Sequence, residues 1–109
     1  MIGWRLRAKA ARDDTVTQII WRSARGRILA GQGRIEDAER LAREAVSLAA
    51  LTDFVNTRAD ALVDLAQILR EAGRLEEANA AVSEGLALYE KKGNSVAAGK
   101  TRAHLAVLS

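Results

Sequence analysis

Gly33-Arg34-Ile35-Glu36-Asp37-Ala38 returns as Gly73-Arg74-Leu75-Glu76-Glu77-Ala78, an offset of 40 residues. A glycine ahead of a short run with two carboxylates reads as one helix ending and the next beginning. Glycine accepts the left-handed conformation of a C-cap, and acidic side chains suit the positive first turn of a helix. Working outward, the same offset pairs Ile28 with Ile68, Leu29 with Leu69, Glu44 with Glu84, Val46 with Leu86, and Leu48 with Leu88. Carried forward again, it pairs Leu65 with Leu105, Ala66 with Ala106, and Ile68 with Leu108, and the third copy stops at Ser109 after its first helix. Similarity at a fixed period means stacked units, none of which buries its apolar face alone.

Each unit reads as two antiparallel helices. The first begins near Asp14-Thr15, with Asp13 or Asp14 as its cap, and ends at Gly31-Gln32-Gly33. The second runs from Ile35 to about Leu51, with Glu36 and Asp37 in its first turn. Thr52 or Asp53 caps a third, from Phe54 to about Ala72. Its Val55, Ala59, Leu62, Leu65, Ala66 and Leu69 recur at the spacing of one buried stripe. A fourth runs from Leu75 to about Lys91, with Leu75, Ala78, Val82, Leu86 and Tyr89 on one face and Gly93 at its end. Asn94 or Ser95 caps a last helix. Residues 2–12 read as a further, separate helix, the remnant of a preceding unit. The expected organisation is one all-α domain of about six helices: a partial helix over 1–13, repeats over 14–53 and 54–93, and the first helix of a partial repeat over 94–109.

Composition agrees. Of the 109 residues, 49% are hydrophobic but only 4% aromatic, so alanine, the best helix former, supplies much of the apolar content. There is no proline to break helices and no cysteine for disulfides or thiolate metal sites. Apolar runs are short and interrupted by charge, so no segment is long enough to span a bilayer, and the N-terminal stretch is no secretory signal. A cytoplasmic protein is the expectation. Residues 1–34 hold eight Arg/Lys against Asp13 and Asp14, giving +6, whereas 35–109 hold nine against twelve acids, giving −3. Solvated helix faces account for most such charge, but the asymmetry also admits head-to-tail contacts or an acidic partner at the basic end.

The repeated residues resemble the tetratricopeptide repeat, a helix–turn–helix unit that stacks into a right-handed α-solenoid. With Gly33 at the fifteenth position, the family's small, large, glycine, alanine and small positions fall on Gly26, Leu29, Gly33, Ala38 and Ala45. The second unit supplies Ala66, Leu69, Gly73, Ala78 and Gly85. Small residues stand where helices cross closely, and large ones fill the gaps beside them. The chain departs from the pattern in lacking the fourth-position aromatic (Arg22 and Leu62 instead) and the terminal proline (Ala50 and Glu90). Its period exceeds the common one of about 34 residues, so its helices are longer. It also resembles the C-terminal repeat region of large bacterial signalling proteins that carry a nucleotide cyclase or a regulatory ATPase domain. None of that machinery lies in this sequence.

Catalysis finds no support. Gly31-Gln32-Gly33 lacks the lysine-serine of a phosphate loop and sits at a helix end. A single histidine, His104, cannot build a nucleophile–base pair with another imidazole or a multi-histidine metal set. Asp60 and Asp64 share a helix face, but nothing marks a pocket that would set their pKa values apart. No cofactor or metal is expected. In the resembling family the first helix of each unit lines a concave groove. The positions that match here include Arg27 in the first unit, Asp60, Asp64 and Gln67 in the second, and Lys100 and His104 in the third. Asp60 and Asp64 would repel the C-terminal carboxylate gripped by chaperone-binding members, and would better suit a mixed or basic segment.

The function expected is a non-catalytic protein–protein interaction scaffold. It would bind a peptide or partner helix in the groove, associate with itself through uncovered end helices, or both. A homo-oligomer or a fragment of a longer array is implied, because two units fall short of the three or so that repeat proteins need. The alternative is a basic regulatory domain contacting DNA through Arg5, Arg7, Lys9, Arg12, Arg22, Arg25 and Arg27. The acidic second half argues against that alternative.

Overall fold

The computed structural model describes the backbone of residues 3–108 and the side chains of residues 14–103. Five helices follow one another: α1 (Gly3–Gly31), α2 (Ile35–Ala50), α3 (Val55–Glu71), α4 (Leu75–Lys92) and α5 (Ser95–Leu108). The first pairs with the second, the third with the fourth, and the fifth lies against the fourth. Among the described residues there is no strand. The molecule is a slab of 55 × 33 × 17 Å, its shortest dimension fitting two packed helices.

The two hairpins are built alike. Residues 41–50 of α2 and 81–90 of α4 carry the same succession of buried, half-buried and exposed positions, except that Leu41 is half-buried and Ala81 buried. Both α1 and α3 end in the same hydrogen-bonded turn. The amide of Arg34 donates to the carbonyl of Leu29 and that of Arg74 to Leu69, each at 2.9 Å, with Gly33 and Gly73 at φ +81° and +80°. That is the left-handed C′ residue of a Schellman turn, which glycine adopts without a Cβ clash. The hairpins close around glycine as well. A Cβ at Gly26 would lie 3.2 Å from the carbonyl oxygen of Ala38, and one at Gly85 would lie 3.2 Å from that of Ala59. These contacts place the backbones of α1 and α2, and of α3 and α4, at their closest approach.

Between the hairpins lies the main core. Leu29, Ala38 and Ala42 from the first meet Leu65, Ile68, Leu69 and Ala78 from the second. Beside them Ile19, Ala45 and Ala49 enclose Ala61. A third cluster joins Ala59, Tyr89 and Ala98, tying α3, α4 and α5 together. On the outer side an ion ladder crosses the repeat junction: Arg74 of α4's cap pairs with Glu77 and with Glu39 of α2, while Arg43 pairs with Glu39 at 2.7 Å.

Three expectations need correction. The segment read as a helix over 2–12 does not form one of its own over its described residues; α1 (Gly3–Gly31) runs without interruption through Asp13 and Asp14, so the described residues form five helices and not six. No glycine or proline lies between Trp4 and Arg25, and aspartate favours a cap without forbidding a helix interior. Neither Asp13 nor Asp14, therefore, starts a helix. Thr52 does not cap α3. Its hydroxyl donates to the carbonyl of Ala49 at 2.7 Å and accepts from the amide of Phe54, so it shapes the turn. Asn94, in contrast, caps α5, its side-chain oxygen accepting from the amide of Ala97.

Candidate functional site

The stacking of α1, α3 and α5 fixes the site. Each is the first helix of its unit, so residues at matching positions line one face of the slab. Two clefts open there and share Asp60, Val63 and Tyr89. One, of ≈ 350 Å³, lies between α1 and α3 and is walled by Ile19, Ile20, Ser23, Arg27, Thr57 and Asp64. The other, of ≈ 360 Å³, lies between α3 and α5 and is walled by Gln67, Ala97, Lys100 and Thr101. Arg27, Asp60, Asp64, Gln67 and Lys100, which the sequence places on one face, are thus brought together across three helices. His104 belongs to α5, but its side chain lies outside the described residues.

Charges alternate along this face. Arg27 stands 3.7 Å from the Asp64 carboxylate, a loose ion pair. Asp64 is partly desolvated, and that burial pushes its carboxyl above the usual aspartate value; Arg27 opposes the shift and neighbouring Asp60 adds to it. Asp60 accepts a hydrogen bond from the hydroxyl of Tyr89. Burial, that hydrogen bond and the charges of Asp60 and Asp64 hold the tyrosine well above its ordinary pKa, so it stays a neutral donor. Lys100 makes no ion pair among the described residues. The face therefore offers two carboxylates at its centre and a cation on each flank, with Val63 and Ile20 as apolar floor.

Sequence reasoning assigned Tyr89 to the buried stripe of α4 and missed its part in this face. Its ring is buried between α3, α4 and α5, while its hydroxyl reaches the junction of the two clefts. One signal was present: the repeat aligns Tyr89 with Ala49, so a large residue with a polar tip replaces a small one where helices cross. Arg70 and Glu71, which follow Gln67 on α3, line neither cleft. A larger cleft of ≈ 790 Å³ lies on the outer side of α1 and α2, among Arg22, Glu39, Arg43 and Glu44. There Arg22 pairs with Glu44 and Glu39 with Arg43, so its charges largely satisfy one another.

Among the described residues no three carboxylate, histidine or cysteine groups converge as metal ligands. Nor is any described helix long and apolar enough to cross a membrane. The family model described as tetratricopeptide repeat matches residues 15–91. Comparisons with curated proteins and with solved structures return no match.

Proposed function

Since the chain belongs to the tetratricopeptide-repeat family, a family of protein-interaction modules, we propose that it holds a partner polypeptide along the face formed by α1, α3 and α5. The observation that carries this reading is the convergence of Arg27, Asp60, Asp64, Gln67 and Lys100 on two joined clefts. The chemistry of the face selects the partner. A segment laid across α3 meets Asp60 and Asp64 first, so it carries a lysine or arginine there. Lys100 at one flank, without an ion pair among the described residues, favours a carboxylate further along the same segment. Backbone groups of an extended segment would find Gln67 and Thr57 as hydrogen-bond partners.

Affinity from such a face comes from displaced water and apolar contact at Val63 and Ile20, with the charges setting register and rejecting acidic sequences. Selection from a random peptide library on the immobilised chain tests this. Enriched peptides should carry a basic residue, and their binding should fall in Asp60→Asn/Asp64→Asn protein while persisting in Arg40→Ala protein, altered on the outer side. Enrichment that survives loss of both aspartates would overturn the reading. The resemblance to signalling regulators adds the expectation that the partner belongs to a signalling system, which the reading frames adjoining this gene would test.

A further inference from the structure

Among the described residues nothing covers the outer face of α1, and its chemistry is specific. On α3, Ala61, Leu65 and Ile68 are 2%, 5% and 1% exposed, because α2 covers them. The 40-residue offset places Trp21, Arg25 and Ile28 at the same positions of α1. Trp21 and Ile28 are each 53% exposed, and Arg25 is exposed beside them. Arg34 tells the same story. Its counterpart Arg74 is held by Glu77 of its own unit and by Glu39 of the helix that covers α3. Arg34 has the first partner in Asp37, at 2.7 Å, but among the described residues no carboxylate in the second place. Arg25 has no acidic partner among the described residues either.

We propose that this face of α1 docks an acidic amphipathic helix of a partner polypeptide. It would set apolar side chains on Trp21 and Ile28 and carboxylates against Arg25 and Arg34. The occupant repeats what α2 does for α3: Leu41, Ala45 and Leu48 supply the apolar contact and Glu39 reaches the arginine. A second copy of this chain is a poor occupant. Its α2 and α4 already give the corresponding faces to α3 and α5. Its N-terminal stretch (Arg5, Arg7, Lys9, Arg12) and its α5 (Lys100, Arg102) are basic and would meet Arg25 with like charge.

The inference rests on reading the chain as a protein-contacting module but uses a surface separate from the clefts, so the two fail independently. The probe is a synthetic peptide with the sequence of residues 35–51, and the reporter is Trp21 fluorescence in full-length Trp4→Phe protein. The peptide should shift the emission to the blue in a saturable way. A peptide carrying Glu39→Lys should bind several-fold more weakly, and Ile28→Glu in the protein should remove the response while leaving groove-selected peptides bound. No emission shift, or equal binding by both peptides, would overturn the inference. So would a sedimentation profile showing a dimer that Trp21→Ala dissolves, since a second copy would then cover the face.

Discussion

Helices α1 and α3 occupy the same place in successive repeats, yet one shows solvent what the other buries. Ile68 is 1% exposed and its counterpart Ile28 is 53% exposed, although both are isoleucine. The difference lies in the neighbours and not in the side chain: α3 has a unit before it, whereas no described helix covers the matching face of α1. In a solenoid, burial is a property of position in the stack, because each unit contacts only those beside it. The residues follow that logic. Where the position is covered, α3 uses Ala61 and Leu65; where it is open, α1 carries Trp21 and Arg25.

The largest test of this contrast is a pair of truncations. Ile68→Ala empties a site in the main core and should cost about 2–5 kcal/mol in urea unfolding. Ile28→Ala should change stability by no more than about 0.5 kcal/mol. Similar costs for the two would mean that α1 is covered in solution. Next come the glycines. Gly85→Ala pushes a methyl to within 3.1 Å of Val63 and 3.2 Å of a backbone oxygen, and should destabilise by about 1–3 kcal/mol. Gly99→Ala, in α5, meets nothing within 4 Å and should stabilise by about 0.5–1 kcal/mol. If the two glycines respond alike, the close crossing of α3 and α4 is wrong.

Smaller effects separate the concave face from the outer one. The folded state raises the pKa of Asp64, so its contribution to stability is present below the ordinary value of 3.8 and is lost as pH rises through the raised value. Glu39 behaves oppositely. Its hydrogen bond to Arg43, and further that to Arg74, lower its pKa; its contribution is present above 4.5 and lost as pH falls through the lowered value. Asp64→Asn should therefore make stability rise more steeply with pH above 3.8, and Glu39→Gln should flatten the acid side. Both effects are modest in melts at a series of pH values. That of Glu39 should be the smaller and should shrink with added salt, because its ion pairs are exposed.

Much of the architecture was legible in the sequence because the repeat carries its own punctuation. Gly33 and Gly73 mark turns that few other residues can make, and Gly26, Ala38, Ala45 and Gly85 mark the crossings. The clefts were legible in part. Asp60, Asp64 and Gln67 lie on one helix at helical spacing, so periodicity alone unites them; Arg27 and Lys100 join through the period. Tyr89 did not announce itself, because periodicity assigns a residue to a face and says nothing of how far its tip extends beyond it. The continuous α1 was hidden for a different reason. Asp13-Asp14-Thr15 has the composition of a cap, and local preference there gives way because neither glycine nor proline interrupts the chain from Trp4 to Arg25.

Amide chemical-shift mapping of the chain with a library-selected peptide is the most direct test of the concave face as the holding surface. Shifts should concentrate on residues 20–27, 57–67 and 97–101 and spare the outer positions 36–43. A footprint centred on the outer side of α2 and α4, with Asp60 and Asp64 unmoved, would contradict it.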